Sequence, residues 1–408
     1  MPRHFVYVGT KGDGRTEPGP AEPSIPVLVL DDDTGRLERL HYDVGHLPAP
    51  SWLCVPPTRP TRFMYAACRA ETLGEEPTGV GSDNPADHFA VAFEVNAADG
   101  TLRELNRQPT VGIGPTHCGA SDSMLVTAQY MGGGATAFSC AADGSLLPTR
   151  AVIHHEYSSN ANPVRQYHSF CHGAVIDPAG KRVLIPDLGA DRVYVYDLHS
   201  ATGTLTPAPV PFFSSSAGSG PRSFCFHPNS KFCYLITEID STIVPLAYDA
   251  GTGKLTQTGP VVETLPEDWP GLDSTAGGVG PTGEAPKGKK GNLTAHLEVS
   301  PDGRFVYGSN RGHDSIVTFR VAPESGALKL VSHTHGGGKS PRAFAIHPSG
   351  KWLLVANEAS GNVVVFARDV ETGLLTQTAA EQGEIPTCMC LVFVSQEERS
   401  LAVAAAAL

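Results

Sequence analysis

Four stretches of this chain follow one grammar, and a repeat of this kind constrains a fold more than any local propensity. They are "CHGAVIDPAGKRVLIPDLGADRVYVYDLHSATGTL" (171–205), "PRSFCFHPNSKFCYLITEIDSTIVPLAYDAGTGKL" (221–255), "AHLEVSPDGRFVYGSNRGHDSIVTFRVAPESGAL" (295–328) and "PRAFAIHPSGKWLLVANEASGNVVVFARDVETGLL" (341–375). Each reads as a short strand, a turn built on Pro with Gly or Ser, a second strand, a polar turn, a third strand, then Gly and a fourth hydrophobic run. Alternating Val, Ile, Phe and Tyr punctuated by Gly, Asn and Asp is a strand signature.

Degenerate copies extend the series: "SWLCVPPTRPTRFMYAACR" from Ser51, "THCGASDSMLVTAQYMGGGATAFSC" from Thr116, and "PTCMCLVF" from Pro386. The last copy stops after one strand, whereas the N-terminal "RHFVYVGTKG" reads as the missing second strand, so seven units result if the ends meet. Four-stranded units of this length, repeated four to eight times, indicate a β-propeller. The expectation is an all-β, seven-bladed propeller whose ring is closed by N-terminal strands joining the C-terminal inner strand, which leaves no broken edge. Residues 1–408 are read as one domain, because closed β architectures keep chains of this size in one body. Two Gly-, Pro- and charge-rich stretches, at about 69–88 and 270–291, read as inserted surface loops.

The formal charge of −12 argues against nucleic-acid or anionic-membrane binding, which needs a basic surface, but not against a small anion in a locally positive pocket. The N-terminus lacks a signal-peptide pattern and no 18-residue apolar run occurs, so the chain is expected to be soluble and cytoplasmic. Nine cysteines without a C-x-x-C pair read as reduced, buried thiols; alternation places both thiols of "CMC" (388–390) on one strand face.

In a propeller the innermost strands line the central channel, so equivalent positions in different blades converge. Counting six residues back from the turn proline, or its equivalent, picks out Ser51, His117, His172, Arg222, Ala295, Arg342 and Thr387. The ends of the second strands are Lys11, Arg69, Tyr130, Leu188, Glu238, Arg311 and Glu358. Ionisable groups converging at a channel mouth are costly unless they pair or serve a ligand. Arg222–Glu238 and Arg342–Glu358, each 16 residues apart, also read as salt bridges within a blade, the second pair equally well so. His172 and Arg311 from neighbouring blades turn the first of these pairs into a set with a base, an acid and two anion holders.

The segments "PDLGADRVYVY", "GPRSFCFHP", "YLITEIDSTI", "LPEDW" and "SPDGRFVYGSNRGHDSIVTF" resemble the seven-bladed propeller lactonase family, which includes propeller-type 6-phosphogluconolactonases and carboxy-cis,cis-muconate cyclase. The resemblance is strongest from about 160 to 370 and implies a site of one histidine, two arginines and one glutamate, falling on His172, Arg222, Glu238 and Arg311. "NPVRQYHSFCH" is similar to the family's N-P-x-R-Q segment, keeping Asn162, Arg165, Gln166 and His172, while Phe170 replaces the first histidine of a His-x-His pair. That departure bears on the sugar-phosphate substrate in particular.

The expected activity is hydrolysis of a small anionic lactone, 6-phosphogluconolactone among the candidates. His172 would serve as general base, Glu238 would orient it or shuttle the proton, and Arg222 and Arg311 would bind the anion and the developing oxyanion. Arg165, Gln166, His117, Arg342 and Arg69 complete the expected substrate contacts, with no metal and no cofactor. The same four residues would serve the reverse chemistry, cyclisation of an unsaturated diacid to a lactone. A non-catalytic propeller that binds a partner or acts as a scaffold is the alternative of a different class. Beside Arg311, His313 and Asp314 are expected to order the turn, Asp314 by accepting backbone N–H groups. "GGGATAF" and "HGGGKSPR" lack the Gly-Lys-Ser/Thr pattern of a phosphate loop and read as turns.

Overall fold

The structure, a computed structural model, describes residues 3–11, 24–40, 47–69, 87–271, 291–378 and 385–396. Apart from their ends, the two stretches expected as inserted loops lie outside the described residues. The described residues form seven antiparallel sheets with no α-helix. Blade 1 comprises Arg3–Thr10, Val27–Asp31 and Leu37–Leu40, blade 2 runs from Pro50–Cys54 to Leu102–Pro109, and blade 3 from Pro115–Ala120 to Ala151–His154. Blade 4 runs from Val175–Ile176 to Thr204–Ser214, blade 5 from Pro221–Phe226 to Val262–Glu263, blade 6 from Leu293–Val299 to Leu328–His335, and blade 7 from Pro341–Ile346 to Leu375–Gln377. Cys388–Ser395 pairs antiparallel with Arg3–Thr10 and becomes the innermost strand of blade 1, so the two ends of the described chain share one sheet.

Seven hydrophobic clusters fill the seven seams between neighbouring blades, including the seam from blade 7 to blade 1, where Leu354, Val363 and Val365 pack on Val6, Val8 and Leu28. This is why the strands read as nearly continuous apolar runs: a propeller sheet is covered on both faces by its neighbours. A recurrent polar tie crosses several seams. Tyr7, Tyr234 and Tyr307 each donate a hydroxyl to the carbonyl of a glycine in the next blade, Gly100, Gly326 and Gly373, at 2.8, 3.1 and 2.9 Å. Gly373 must be glycine: its φ is +78°, and a Cβ there would stand 2.4 Å from the Phe305 ring.

All nine cysteines are free thiols. Cys388 and Cys390 do not share a face, contrary to strict alternation. Cys390 packs in the seam between blades 1 and 2 and Cys388 in the seam between blades 7 and 1, because the pairing slips between them, Gly9 facing Cys390 and Thr10 facing Cys388. Met389 is therefore an extra residue, a β-bulge.

Candidate functional site

The bulge at Met389 recurs on the inner strand of every blade. In blades 2, 3, 5 and 7 the register skips one residue, leaving Ser51, Thr116, Arg222 and Arg342 without a cross-strand partner, and in blade 6 Ala295 and His296 together oppose Ser309. In blade 4, Cys171 faces Asp187 and Val175 faces Leu184, so three residues on one side oppose two on the other, and His172 is the extra one. A bulge turns its extra residue out of the ladder. Five of these residues, Thr116, His172, Arg222, Arg342 and Met389, line one pocket together with Trp52, His117 and Ser223.

Beside that pocket the end of the second strand of blade 5 presents Glu238, 3% exposed. Arg165 Nη2 donates to its Oε1 at 2.5 Å, while Arg222 Nε and Arg311 Nη2 donate to Oε2 at 2.7 and 2.9 Å. His172 Nε2 stands 3.9 Å from the same oxygen. Arg222 also donates to the Ala295 carbonyl and Arg311 to that of Thr294, so both forks are clamped to blade 6. Arg342 donates to Glu358 at 3.0 Å.

Burial would raise the Glu238 pKa, but the charges of Arg311, Arg165 and Arg222 outweigh it and hold the carboxyl well below the usual range. Burial, then Arg222, push the His172 imidazole well below its ordinary value against the pull of Glu238. Burial and the Arg311 charge bring Arg222 down to about 9, still a cation at neutral pH. Burial, then His296 and Arg222, lower His117 to about 3. The cluster thus pairs four guanidinium groups, Arg165, Arg222, Arg311 and Arg342, with two carboxylates, Glu238 and Glu358. An excess of buried positive charge is stabilised by an anionic ligand. It repels a metal cation, and the Glu238 oxygens that would bind one face guanidinium groups instead.

The backbone that carries His172 is held by a side chain rather than by a full ladder. Asp187 Oδ1 accepts the N–H groups of Phe170, Gly189 and Ala190 at 2.8, 3.1 and 3.1 Å. Its Oδ2 takes Ser169 Oγ at 2.5 Å and His155 Nδ1 at 3.2 Å. Phe170 stacks on His168 at 3.8 Å and packs with Leu188 and Ile239, filling with hydrocarbon the place where the resemblance implies a second histidine.

The structure gathers His172, Glu238, Arg222, Arg311 and Arg165 in one cluster and sets His117 and Arg342 in the adjoining pocket. Two expectations need correction. Gln166 is fully buried; its Oε1 accepts Asn162 N–H and its Nε2 donates to Leu188 O and Asp191 Oδ1, so it shapes the Arg165 loop instead of meeting substrate. Arg69 ends its strand opposite His88. In the bulge ring Thr116 and Met389 occupy the positions expected for His117 and Thr387, since pattern alone does not show where a strand slips. Trp52, stacked on His117 at 4.3 Å, went unnoticed because it follows a ring residue and reads as core; the bulge at Ser51 is what brings it to the pocket. At the neighbouring turn Asp314 accepts the N–H groups of Gly312 and Ser340, and His313 bonds Ser315 Oγ at 2.7 Å.

The family described as "Lactonase, 7-bladed beta-propeller" matches residues 5–393. The 6-phosphogluconolactonase of Bacillus subtilis (strain 168) is 33% identical over 401 residues, covering 97% of this chain and 100% of the relative. That of Formosa agariphila is 30% identical over 71% of this chain and 77% of its own length. Among solved structures, the periplasmic gluconolactonase of Pseudomonas aeruginosa superposes with a TM-score of 0.80 at 28% identity, over 97% of this chain and 100% of that one. With seven bladed sheets, a ring closed through both ends of the described chain and this family matched along nearly the whole length, the chain belongs to the seven-bladed β-propeller lactonases.

Proposed function

We propose that the protein hydrolyses a small anionic sugar lactone, with 6-phosphogluconolactone the first candidate. The observation that carries this reading is the Glu238 carboxylate ringed by Arg165, Arg222 and Arg311 with a neutral imidazole, His172, at 3.9 Å. The relatives named as 6-phosphogluconolactonases support the substrate class.

Because three arginines hold Glu238 ionised and occupy its oxygens, His172 is the group free to accept a proton. A water attacks the lactone carbonyl carbon while His172 Nε2 takes its proton, and the C=O electron pair moves onto oxygen. A guanidinium that lines the pocket, Arg222 or Arg342, stabilises that oxyanion, the other binding the substrate's anionic group. Collapse of the tetrahedral intermediate breaks the ring C–O bond, and the proton on His172 passes to the departing oxygen, giving the open hydroxy acid. Glu238 stabilises the transient imidazolium and keeps the arginines in place.

The test is hydrolysis of 6-phosphogluconolactone, unphosphorylated gluconolactone and a muconolactone-type acid, with spontaneous opening subtracted. His172→Ala is expected to lower kcat by about 10²–10⁴-fold on the preferred lactone. Turnover equal to wild type in a folded His172→Ala protein would overturn the assignment, and ring closure of an unsaturated diacid would favour cyclase chemistry.

A further inference from the structure

At the seam where blade 7 meets blade 1, four separate segments bring donor atoms together. His4 comes from the first strand, Asp32 from the turn after Val27–Asp31, His347 from the turn after Pro341–Ile346, and Ser395 from the end of the closing strand. His4 Nδ1 lies 3.0 Å from both Asp32 oxygens and 3.0 Å from His347 Nε2, and His347 Nε2 lies 3.2 Å from Asp32 Oδ1. These side chains are 12%, 12% and 2% exposed, so the triangle sits just under the surface.

Hydrogen bonds do not account for all three edges. His347 Nδ1 accepts the Ser349 N–H at 3.2 Å, which places the proton of the neutral ring on Nε2. If His4 also carries its proton on Nδ1, two N–H groups face one carboxylate only 3.0 Å apart; if it does not, a bare nitrogen faces that carboxylate. The related turn of blade 5 shows how the same His-Pro sequence is completed elsewhere. There His227 Nδ1 accepts the Asn229 N–H and Nε2 donates to the Gly303 carbonyl at 2.8 Å, a satisfied contact without an acid or a second imidazole.

We infer that His4, Asp32 and His347 form a binding site for a divalent transition-metal ion of the zinc class, fastening the closure of the ring. Two imidazoles and a carboxylate are the ligand set such ions prefer, and a tetrahedral ion would hold its N and O donors about 3.3 Å apart, an octahedral one about 3.0 Å. The 3.0–3.2 Å triangle matches that spacing without rearrangement. Outer partners are present for both rings: His4 Nε2 lies 2.9 Å from Ser395 Oγ, and His347 Nδ1 lies 2.7 Å from Ser349 Oγ. On binding, the Nε2 proton of His347 leaves, Nδ1 takes one up and donates it to Ser349 Oγ, and any proton on His4 Nδ1 moves to Nε2 and is donated to Ser395 Oγ. The site is remote from Glu238, because His4 and Lys11 lie seven residues apart along an extended run of roughly 20 Å, with Lys11 at the rim corresponding to Glu238.

The experiment is zinc binding to the full chain, stripped by chelator and dialysed, with metal content, Tm against zinc concentration, and the visible absorption of a cobalt-loaded sample as readouts. One equivalent of zinc, a Tm that rises with zinc, and a cobalt spectrum with imidazole and carboxylate ligation are expected. Asp32→Asn and His4→Gln, each checked for folding by circular dichroism, are expected to abolish the Tm response and weaken zinc by more than the ~10–100-fold typical of losing an outer partner. Lactone hydrolysis well below Tm should be unchanged in both. No stoichiometric zinc in the wild type, or zinc retained with wild-type affinity by both variants, would overturn the inference.

Discussion

Blades 5 and 7 carry the same pair at the same spacing, Arg222–Glu238 and Arg342–Glu358, yet the two pairs have different surroundings. In blade 7 one bond of 3.0 Å joins side chains that are 14% and 13% exposed. In blade 5 the corresponding side chains are 5% and 4% exposed, and the carboxylate meets Arg165 and Arg311 as well. A position in a repeat therefore supplies only a pair; a site arises where neighbouring blades and one long connection aim further charges at it. The blade 7 pair serves the pocket through Arg342 alone.

The largest expected difference is in what removal of each carboxylate does. Glu238→Ala strands two buried guanidinium groups, Arg222 and Arg311, and the part-buried Arg165, and should cost about 3–5 kcal/mol of stability in denaturant unfolding. Glu358→Ala, freeing one partly exposed arginine, should cost nearer 1 kcal/mol. Equal losses would erase the distinction between the blades. Next in size, Arg342→Ala removes a cation from the pocket without touching Glu238, and should lower kcat/KM about 10–150-fold, chiefly through KM, as expected for one charged hydrogen bond. A fall mainly in kcat would move Arg342 into the chemistry.

The last effect is in pH. The folded pKa values of His172 and His117 lie below the unfolded value near 6.5, so in the window beneath 6.5 the unfolded chain binds more protons and stability falls with falling pH. Each imidazole contributes a slope of up to about 1.4 kcal/mol per pH unit there. Glu238 acts in the opposite range, its contribution being complete above the unfolded carboxylate value and lost only as pH falls through its lower folded one. Unfolding measured from pH 7.5 to 5 should show a shallower slope in His117→Gln than in wild type, and an identical slope would remove His117 from this account.

The propeller was legible because its grammar repeats, and the charged site because the repeat register converts spacing into proximity for His172, Arg222, Glu238 and Arg311. What remained hidden follows from the bulges. One unpaired residue per inner strand shifts Thr116 and Met389 into places that counting assigned to His117 and Thr387, and it divides Cys388 from Cys390. Gln166 illustrates a second limit: a polar residue in a matching motif reads alike whether its amide meets a ligand or, as here, a buried carbonyl and carboxylate.

The hydroxyl ties from Tyr7, Tyr234 and Tyr307 to glycines of the next blade have a mechanical consequence. Each links the second strand of a blade to the turn before the outermost strand of its successor, outside the sheet ladders, so neighbouring blades are braced against splaying. Loosening one brace would be felt as torsion at the hub, where the arginines sit.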